Sequence, residues 1–118
     1  MIAGIAAIHA AGVVHRDIKP TNVMLSRFGS HVCVSIMDFG LARNYESDAT
    51  IFKPGVIAGT PGYLAPELIL GQHPSPASDV FALGVLLHQV FTGERPVESA
   101  GGRLKYAAPS RKTLSGAL

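Results

Sequence analysis

The stretch that most constrains this chain is residues 15–22, which read HRDIKPTN and place Asp17 five residues before Asn22. Two short motifs follow, DFG at residues 38–40 and APE at residues 65–67. Aspartate and asparagine favour turns, so each motif taken singly also fits an ordinary turn. Three motifs in this order, with this separation between aspartate and asparagine, instead indicate a functional site.

The three motifs resemble the catalytic loop (H-R-D-x-x-x-x-N), the DFG motif and the APE motif of the protein kinases. The resemblance implies that Asp17 orients the attacking hydroxyl and takes its proton. It implies that Asn22 and Asp38 are oxygen ligands of Mg²⁺, which neutralises charge between the phosphates of ATP. Lys19 is expected to reach the transferred phosphate, and a lysine at this position is typical of the serine/threonine branch of the family.

Arg16 directly precedes the proposed catalytic aspartate. In the family such an arginine pairs with a phosphate on the activation segment, which corresponds here to residues 38–67. The position that usually carries this phosphate holds Val56, and Thr50 is the best remaining acceptor. An arginine bonded to nearby backbone carbonyls therefore stays an open alternative.

Three further residues receive structural roles from the resemblance. Thr60 is expected to bond Asp17 and Lys19. Glu67 would pair with an arginine late in the kinase domain, and it is expected to be unpaired here because no such region is recognised. Asp79 is implied as a buried acceptor for backbone N–H groups of the catalytic loop, with a helix N-cap as the alternative, since aspartate is a preferred capping residue.

The histidines show no metal-ligand spacing with the single cysteine, Cys33. His9 is therefore interpreted as a surface or packing residue. His15 and Phe39 resemble the stacked pair that links the two lobes of a kinase. One cysteine also excludes a disulfide within the chain.

Hydrophobic spacing predicts a short helix at the start of the chain. Ile2, Ile5 and Ile8 recur every three residues and would form a buried stripe, and Gly12 would end the helix. In the family this is the end of a long helix, so the chain is expected to begin inside a domain.

Short strands are predicted on either side of the catalytic loop. Residues 13–14 form one strand, and residues 23–25 and 32–37 form a hairpin joined by a turn over residues 27–31. Residues 44–55 are polar, contain glycine and proline, and are expected to form a mobile loop.

Two helices are predicted further along. Residues 67–70 form a short helix that Pro66 opens and Gly71 stops. A longer helix runs from Asp79 to about Phe91 and resembles the central helix of the large kinase lobe, the C-lobe. Because it is apolar nearly all round, it is expected to be buried.

The predicted fold is therefore mainly α with a short β-hairpin (α+β), a fragment of the kinase C-lobe with the N-lobe absent. No G-x-G-x-x-G motif occurs, and the lysine and glutamate that hold the nucleotide in the family lie upstream of these motifs. Residues 1–97 are interpreted as a partial kinase domain. Residues 98–118 match poorly and are expected to be loop or disordered.

Composition restricts the class of partner. The chain holds 10 Lys and Arg against 8 Asp and Glu, and the excess lies in residues 99–118, which hold four of the cations and no acid. Four dispersed cations do not form a nucleic-acid patch, so no nucleic acid is expected.

No apolar run approaches the ~20 residues that span a bilayer, and no signal peptide is recognised. A cytoplasmic location is the default expectation.

The predicted function is a serine/threonine protein kinase that transfers the γ-phosphoryl group of ATP to hydroxyls of a protein substrate. The isolated chain is expected to be inactive, because nothing in it encloses the nucleotide. A truncated, non-catalytic kinase-like binding module is the main alternative. A small-molecule kinase is a weaker one, since such enzymes rarely carry an Ala-Pro-Glu motif like that at residues 65–67.

Overall fold

The computed structural model describes residues 1–40, 42–44, 59–100 and 103–106. These residues form three helices and three antiparallel strand pairs. The helices are α1 (Ile2–Ala10), α2 (Pro66–Ile69) and α3 (Pro76–Thr92), and the strands are β1 (Val13–Val14), β2 (Val23–Phe28), β3 (His31–Ile36), β4 (Arg43–Asn44), β5 (Val97–Ala100) and β6 (Arg103–Tyr106). The architecture is α+β as predicted, but the strands hold nearly as many described residues as the helices, so the helical share is smaller than expected.

Helix α1 ends where the sequence predicts. Gly12 has a φ of +74°, a left-handed conformation that glycine adopts without steric cost. The predicted stripe is buried only at its centre, where Ile5 is 3% exposed, whereas Ile2 is 67% exposed. The chain then enters β1, which pairs with β4. Helix α1 and β1 thus bring the chain directly to the start of the catalytic loop.

The hairpin of β2 and β3 is confirmed, and it is longer than predicted. The paired register runs from Val23 opposite Ile36 to Phe28 opposite His31, leaving a two-residue turn. Gly29, at a φ of +61°, permits this tight turn. The predicted five-residue turn was wrong because Phe28 and its neighbours favour extended backbone and continue the ladder.

Helix α3 begins three residues before the predicted start at Asp79. Ser75 caps it in a reciprocal capping box with Ser78, and Pro76 occupies the first helical position. Gly93, at a φ of +77°, ends the helix. The cap therefore lies at Ser75, and the alternative assignment of Asp79 as the N-cap was wrong.

One face of α3 forms the centre of the core. Ala82, Leu83, Val85 and Leu86 are buried there and pack with Ile5, Ile18 and Tyr63. The opposite face is open, and the exposed fraction is 56% for Val80 and 67% for Val90. Within the described part of the chain, the prediction that α3 is buried is therefore confirmed for one face and wrong for the opposite face.

The structure describes only part of the two segments that were predicted to be loops, residues 98–118 and 44–55. The segment expected to be loop or disordered, residues 98–118, contains most of the β5–β6 pair, in which Val97 lies opposite Tyr106. Residues 107–118 lie outside the described residues. Of the predicted loop 44–55, only Asn44 is described, and it lies in β4. No described helix is long and apolar enough to cross a membrane.

Candidate active site

The catalytic loop, residues 15–22, is shaped by bonds to its own backbone. The amide of Asp17 donates to Nδ1 of His15 at 3.3 Å, and Nδ2 of Asn22 donates to the carbonyl of Asp17 at 2.8 Å. Pro20 opens a single 3₁₀ turn that ends at Asn22 and so fixes the direction of its side chain. The loop thereby points Asp17 and Asn22 toward each other, as their separation in the sequence predicts.

The carboxylate of Asp17 is the centre of a four-residue cluster. The hydroxyl of Thr60 donates to Oδ1 at 2.7 Å. Nζ of Lys19 lies 3.0 Å from Oδ2, and Nδ2 of Asn22 lies 3.2 Å from the same oxygen. Lys19 also donates to the Thr60 hydroxyl at 2.9 Å, which closes a ring of contacts. The structure thus brings together four predicted site residues, with Thr60 in the contacts that the resemblance implies.

These contacts set the charge of Asp17. Burial raises the pKa of its carboxyl, but the hydrogen bonds from Thr60 and Lys19, the charge of Lys19 and the hydrogen bond from Asn22 outweigh it. The net effect is a pKa below the ordinary value for aspartate. Asp17 is therefore an ionised hydrogen-bond acceptor at neutral pH.

The DFG motif lies beside the catalytic loop at the base of the hairpin. The amide of Met37 donates to the carbonyl of Asn22 at 2.8 Å. Nε2 of His15 donates to the carbonyl of Met37 at 3.1 Å, and the rings of His15 and Phe39 meet edge to face at 4.9 Å. The predicted pairing of His15 with Phe39 is confirmed. The bond from Met37 brings the residue before Asp38 to the backbone of Asn22.

Asp38 and Asn22 together offer oxygen donors suited to Mg²⁺. Asp38 is exposed, has a φ of +59°, and accepts the amide of Gly40 at one oxygen, 3.2 Å away. Asn22 uses its Nδ2 toward Asp17, which leaves its amide oxygen for another partner. Mg²⁺ commonly takes one or two protein oxygens and fills its shell with waters and substrate phosphates, so this donor set fits the ion. Within the described ranges, no three His, Cys, Asp or Glu residues form a metal-binding group.

Asp79 anchors the catalytic loop from α3. Its side chain is 1% exposed, and it accepts the amide of His15 at 2.8 Å and the amide of Arg16 at 2.9 Å. Arg16 has a φ of +72°, which is unfavourable for a non-glycine residue and persists only where neighbouring contacts impose it. The two hydrogen bonds that Asp79 accepts therefore hold the backbone immediately before Asp17.

His9 is a site residue that the sequence analysis missed. Its Nε2 lies 2.8 Å from Oδ2 of Asp79, and because an ionised carboxylate only accepts, the imidazole is the donor. The ring is only 16% exposed. His9 and Asp79 are 70 residues apart in the sequence, and no local spacing could have linked them.

Among the remaining predicted residues, the structure describes Glu67. Glu67 is half-buried in the first turn of α2, and no ion pair involves it within the part of the chain that the structure describes. Thr50 and Val56, the positions discussed for an activating phosphate, lie outside the described residues. The role of Arg16 toward that phosphate stays a prediction.

The contacts of the catalytic loop and of the DFG motif are those that the kinase resemblance implies. A comparison with protein-family models gives the same class. The family described as "Protein kinase domain" matches residues 1–115. The chain belongs to the protein kinase family. The match extends into the segment after residue 97, in which the sequence analysis recognised no motif.

Three of the similar proteins are named serine/threonine-protein kinases. The chain is 44% identical over 96 residues to serine/threonine-protein kinase PknL of Mycobacterium tuberculosis, covering 81% of this chain and 23% of PknL. It is 44% identical over 93 residues to PknA of the same species, covering 79% of this chain and 21% of PknA. It is 41% identical over 97 residues to serine/threonine-protein kinase pkn2 of Myxococcus xanthus, covering 80% of this chain and 12% of pkn2. The chain thus spans less than a quarter of the length of these curated relatives.

Proposed function

We propose that this chain carries the catalytic loop of a serine/threonine protein kinase, which transfers the γ-phosphoryl group of ATP to serine and threonine hydroxyls of a protein substrate. The observation that carries the proposal is the cluster of Asp17, Lys19, Asn22 and Thr60. It combines an ionised carboxylate, a cation and a side-chain amide in one loop, with Thr60 of the docking segment bonded to two of them. We define the docking segment here as residues 59–67.

Asp17 is the residue proposed to position the attacking hydroxyl and to accept its proton. Its lowered pKa keeps the carboxylate ionised at neutral pH, so it is always available as an acceptor. Lys19, 3.0 Å away, supplies a positive charge where negative charge accumulates on the transferred phosphoryl group.

Asn22 and Asp38 are the residues proposed to hold Mg²⁺ with the phosphates of ATP. When bound, the ion neutralises charge on those phosphates. The bond between the amide of Met37 and the carbonyl of Asn22 keeps the two ligands adjacent before the ion arrives. This arrangement spares the site the cost of assembling its ligands on binding.

The preference for serine and threonine over tyrosine rests on Thr60. Because its hydroxyl joins Asp17 and Lys19, the docking segment is held close to the reacting carboxylate. A short serine or threonine side chain reaches Asp17 from a peptide on that segment. A tyrosine ring holds its hydroxyl several ångströms further from the backbone, so the segment would have to recede.

The test is a peptide-library assay on the full-length protein with Mg²⁺ and ATP, followed by phosphoamino-acid analysis. We expect phosphoserine and phosphothreonine, and no phosphotyrosine. Predominant phosphotyrosine would overturn the role given to Lys19 and Thr60. No transfer to any peptide, with a folded protein, would favour the non-catalytic binding module.

A further inference from the structure

An arginine that follows the end of α3 lies against the docking segment. Cζ of Arg95 lies 5.9 Å from the ring centroid of Tyr63, within range of a cation–π contact. Its Nη1 lies 2.6 Å from the point where a Cβ on Gly62 would stand. A Cβ at this position would displace the guanidinium from this place, and the φ of +92° at Gly62 itself favours glycine.

This guanidinium is close to the proposed reaction centre. Gly62 lies inside a turn closed by the bond from the amide of Tyr63 to the carbonyl of Thr60, at 3.1 Å. Thr60 in turn donates to Asp17 at 2.7 Å. A single turn of the docking segment therefore separates the charge on Arg95 from the carboxylate that is proposed to receive the substrate hydroxyl.

The charge of Arg95 is accessible to a partner. Arg95 is exposed, and no ion pair involves it within the described residues. The hydroxyl of Tyr63 donates to the side chain of Gln89, which carries no charge. Glu94, the neighbouring acid, is exposed, and the contacts of its backbone are with Thr92 and His88.

We propose that Arg95 selects protein substrates that carry an acidic side chain near the serine or threonine to be phosphorylated. The inference rests on the proposed kinase function and adds a substrate class to it. A guanidinium forms paired, directional hydrogen bonds with a carboxylate, which neutral peptides cannot provide. Contact with the Tyr63 ring and proximity to Gly62 orient the guanidinium before the substrate binds.

The experiment compares acidic, neutral and basic serine peptides as substrates of the full-length protein. We expect kcat/KM for the acidic peptides to exceed that for the neutral ones by about 3- to 10-fold, as one charge-assisted contact allows. Arg95→Gln should abolish the preference for acidic peptides, and Arg95→Glu should replace it with a preference for basic peptides. Arg27→Gln, a matched change at an exposed arginine of the hairpin, should keep the wild-type ratio.

A second measurement does not depend on the variants. The preference of the wild-type protein for acidic peptides should fall as salt is raised, because salt screens an exposed ion pair. An unchanged ratio in active Arg95→Gln, or a wild-type protein that phosphorylates all three peptide classes equally, would overturn this inference and leave the kinase function standing. No phosphorylation of any peptide by the wild-type protein would overturn both.

Discussion

At the scale of single residues, the proposed chemistry depends on the hydrogen bond that Thr60 donates to Asp17. The Thr60 hydroxyl donates to Asp17 while it accepts from Lys19, so one side chain ties the docking segment to two residues of the catalytic loop. The same bond helps to hold the pKa of Asp17 below its ordinary value. A change at Thr60 should therefore affect both the position and the ionisation of the proposed base.

We predict that Thr60→Ala in the full-length protein lowers kcat by about 10-fold, the value of one hydrogen bond to a charged group. The loss of this donor should also raise the pKa of Asp17. Since the ionised form is the active one, activity should then be lost at a higher pH on acidification than in the wild type. Steady-state rates measured between neutral and acidic pH test both effects.

Thr60→Ser is the control for this prediction, because it keeps the hydroxyl. It should retain most of kcat, and its activity should be lost at the same acidic pH as that of the wild type. Equal behaviour of the serine and alanine variants would show that the hydroxyl has no part in the effect.

At the scale of elements, α1, the catalytic loop and α3 are joined through one buried carboxylate. Asp79 on α3 accepts two amides of the loop and the imidazole of His9 on α1. We predict that His9→Met in the full-length protein loosens the loop, so that amide hydrogen exchange at His15 and Arg16 becomes about 10-fold faster, as expected for one lost bond to a charged group. We expect kcat to fall more than the KM for ATP rises, because the affected backbone precedes Asp17.

His9→Gln tests whether the donor itself matters, since the amide nitrogen of glutamine can replace Nε2 of the imidazole. It should restore most of the protection and of kcat. Slow exchange in His9→Met, equal to that of the wild type, would contradict a positioning role for His9.

The elements also show how far the sequence could be interpreted. The ordered motifs, Gly12 and Gly71 located the helix ends and the loops, because these signals act over a few residues. The bond between His9 and Asp79 joins positions 70 residues apart and could not be predicted. The hydrophobic pattern of α3 predicted burial but could not show which of its faces packs against the described core.

At the scale of the whole molecule, the described residues leave apolar surface uncovered. Leu25, Phe28 and Val32 on the hairpin are each more than 60% exposed, as is Val90 on α3. Burial of apolar surface stabilises a protein by about 25 cal/mol per Å², so open faces of this kind forfeit stability and favour association. We predict that residues 1–118 expressed alone bind a hydrophobic dye, melt without a sharp transition and bind Mg-ATP weakly.

Scanning calorimetry, dye fluorescence and titration with Mg-ATP check this prediction on the 118-residue chain, with the full-length protein as the reference. The full-length protein should melt cooperatively with little dye bound. A sharp melt of a monomeric 118-residue chain would contradict the assignment of these faces to further contacts, and micromolar affinity for Mg-ATP would contradict the expected weak binding.

Asp17 is proposed to serve phosphoryl transfer, and Asp17→Asn in the full-length protein tests this role. This change keeps the shape and removes the charge and the proton acceptor. We predict that kcat falls by about 10²–10⁴-fold, the usual contribution of a general base, with the KM for ATP little changed. Glu94→Gln, the same chemical change at an exposed carboxylate, should leave both constants near wild type. Normal turnover by Asp17→Asn would contradict the proposed role of Asp17 as the general base.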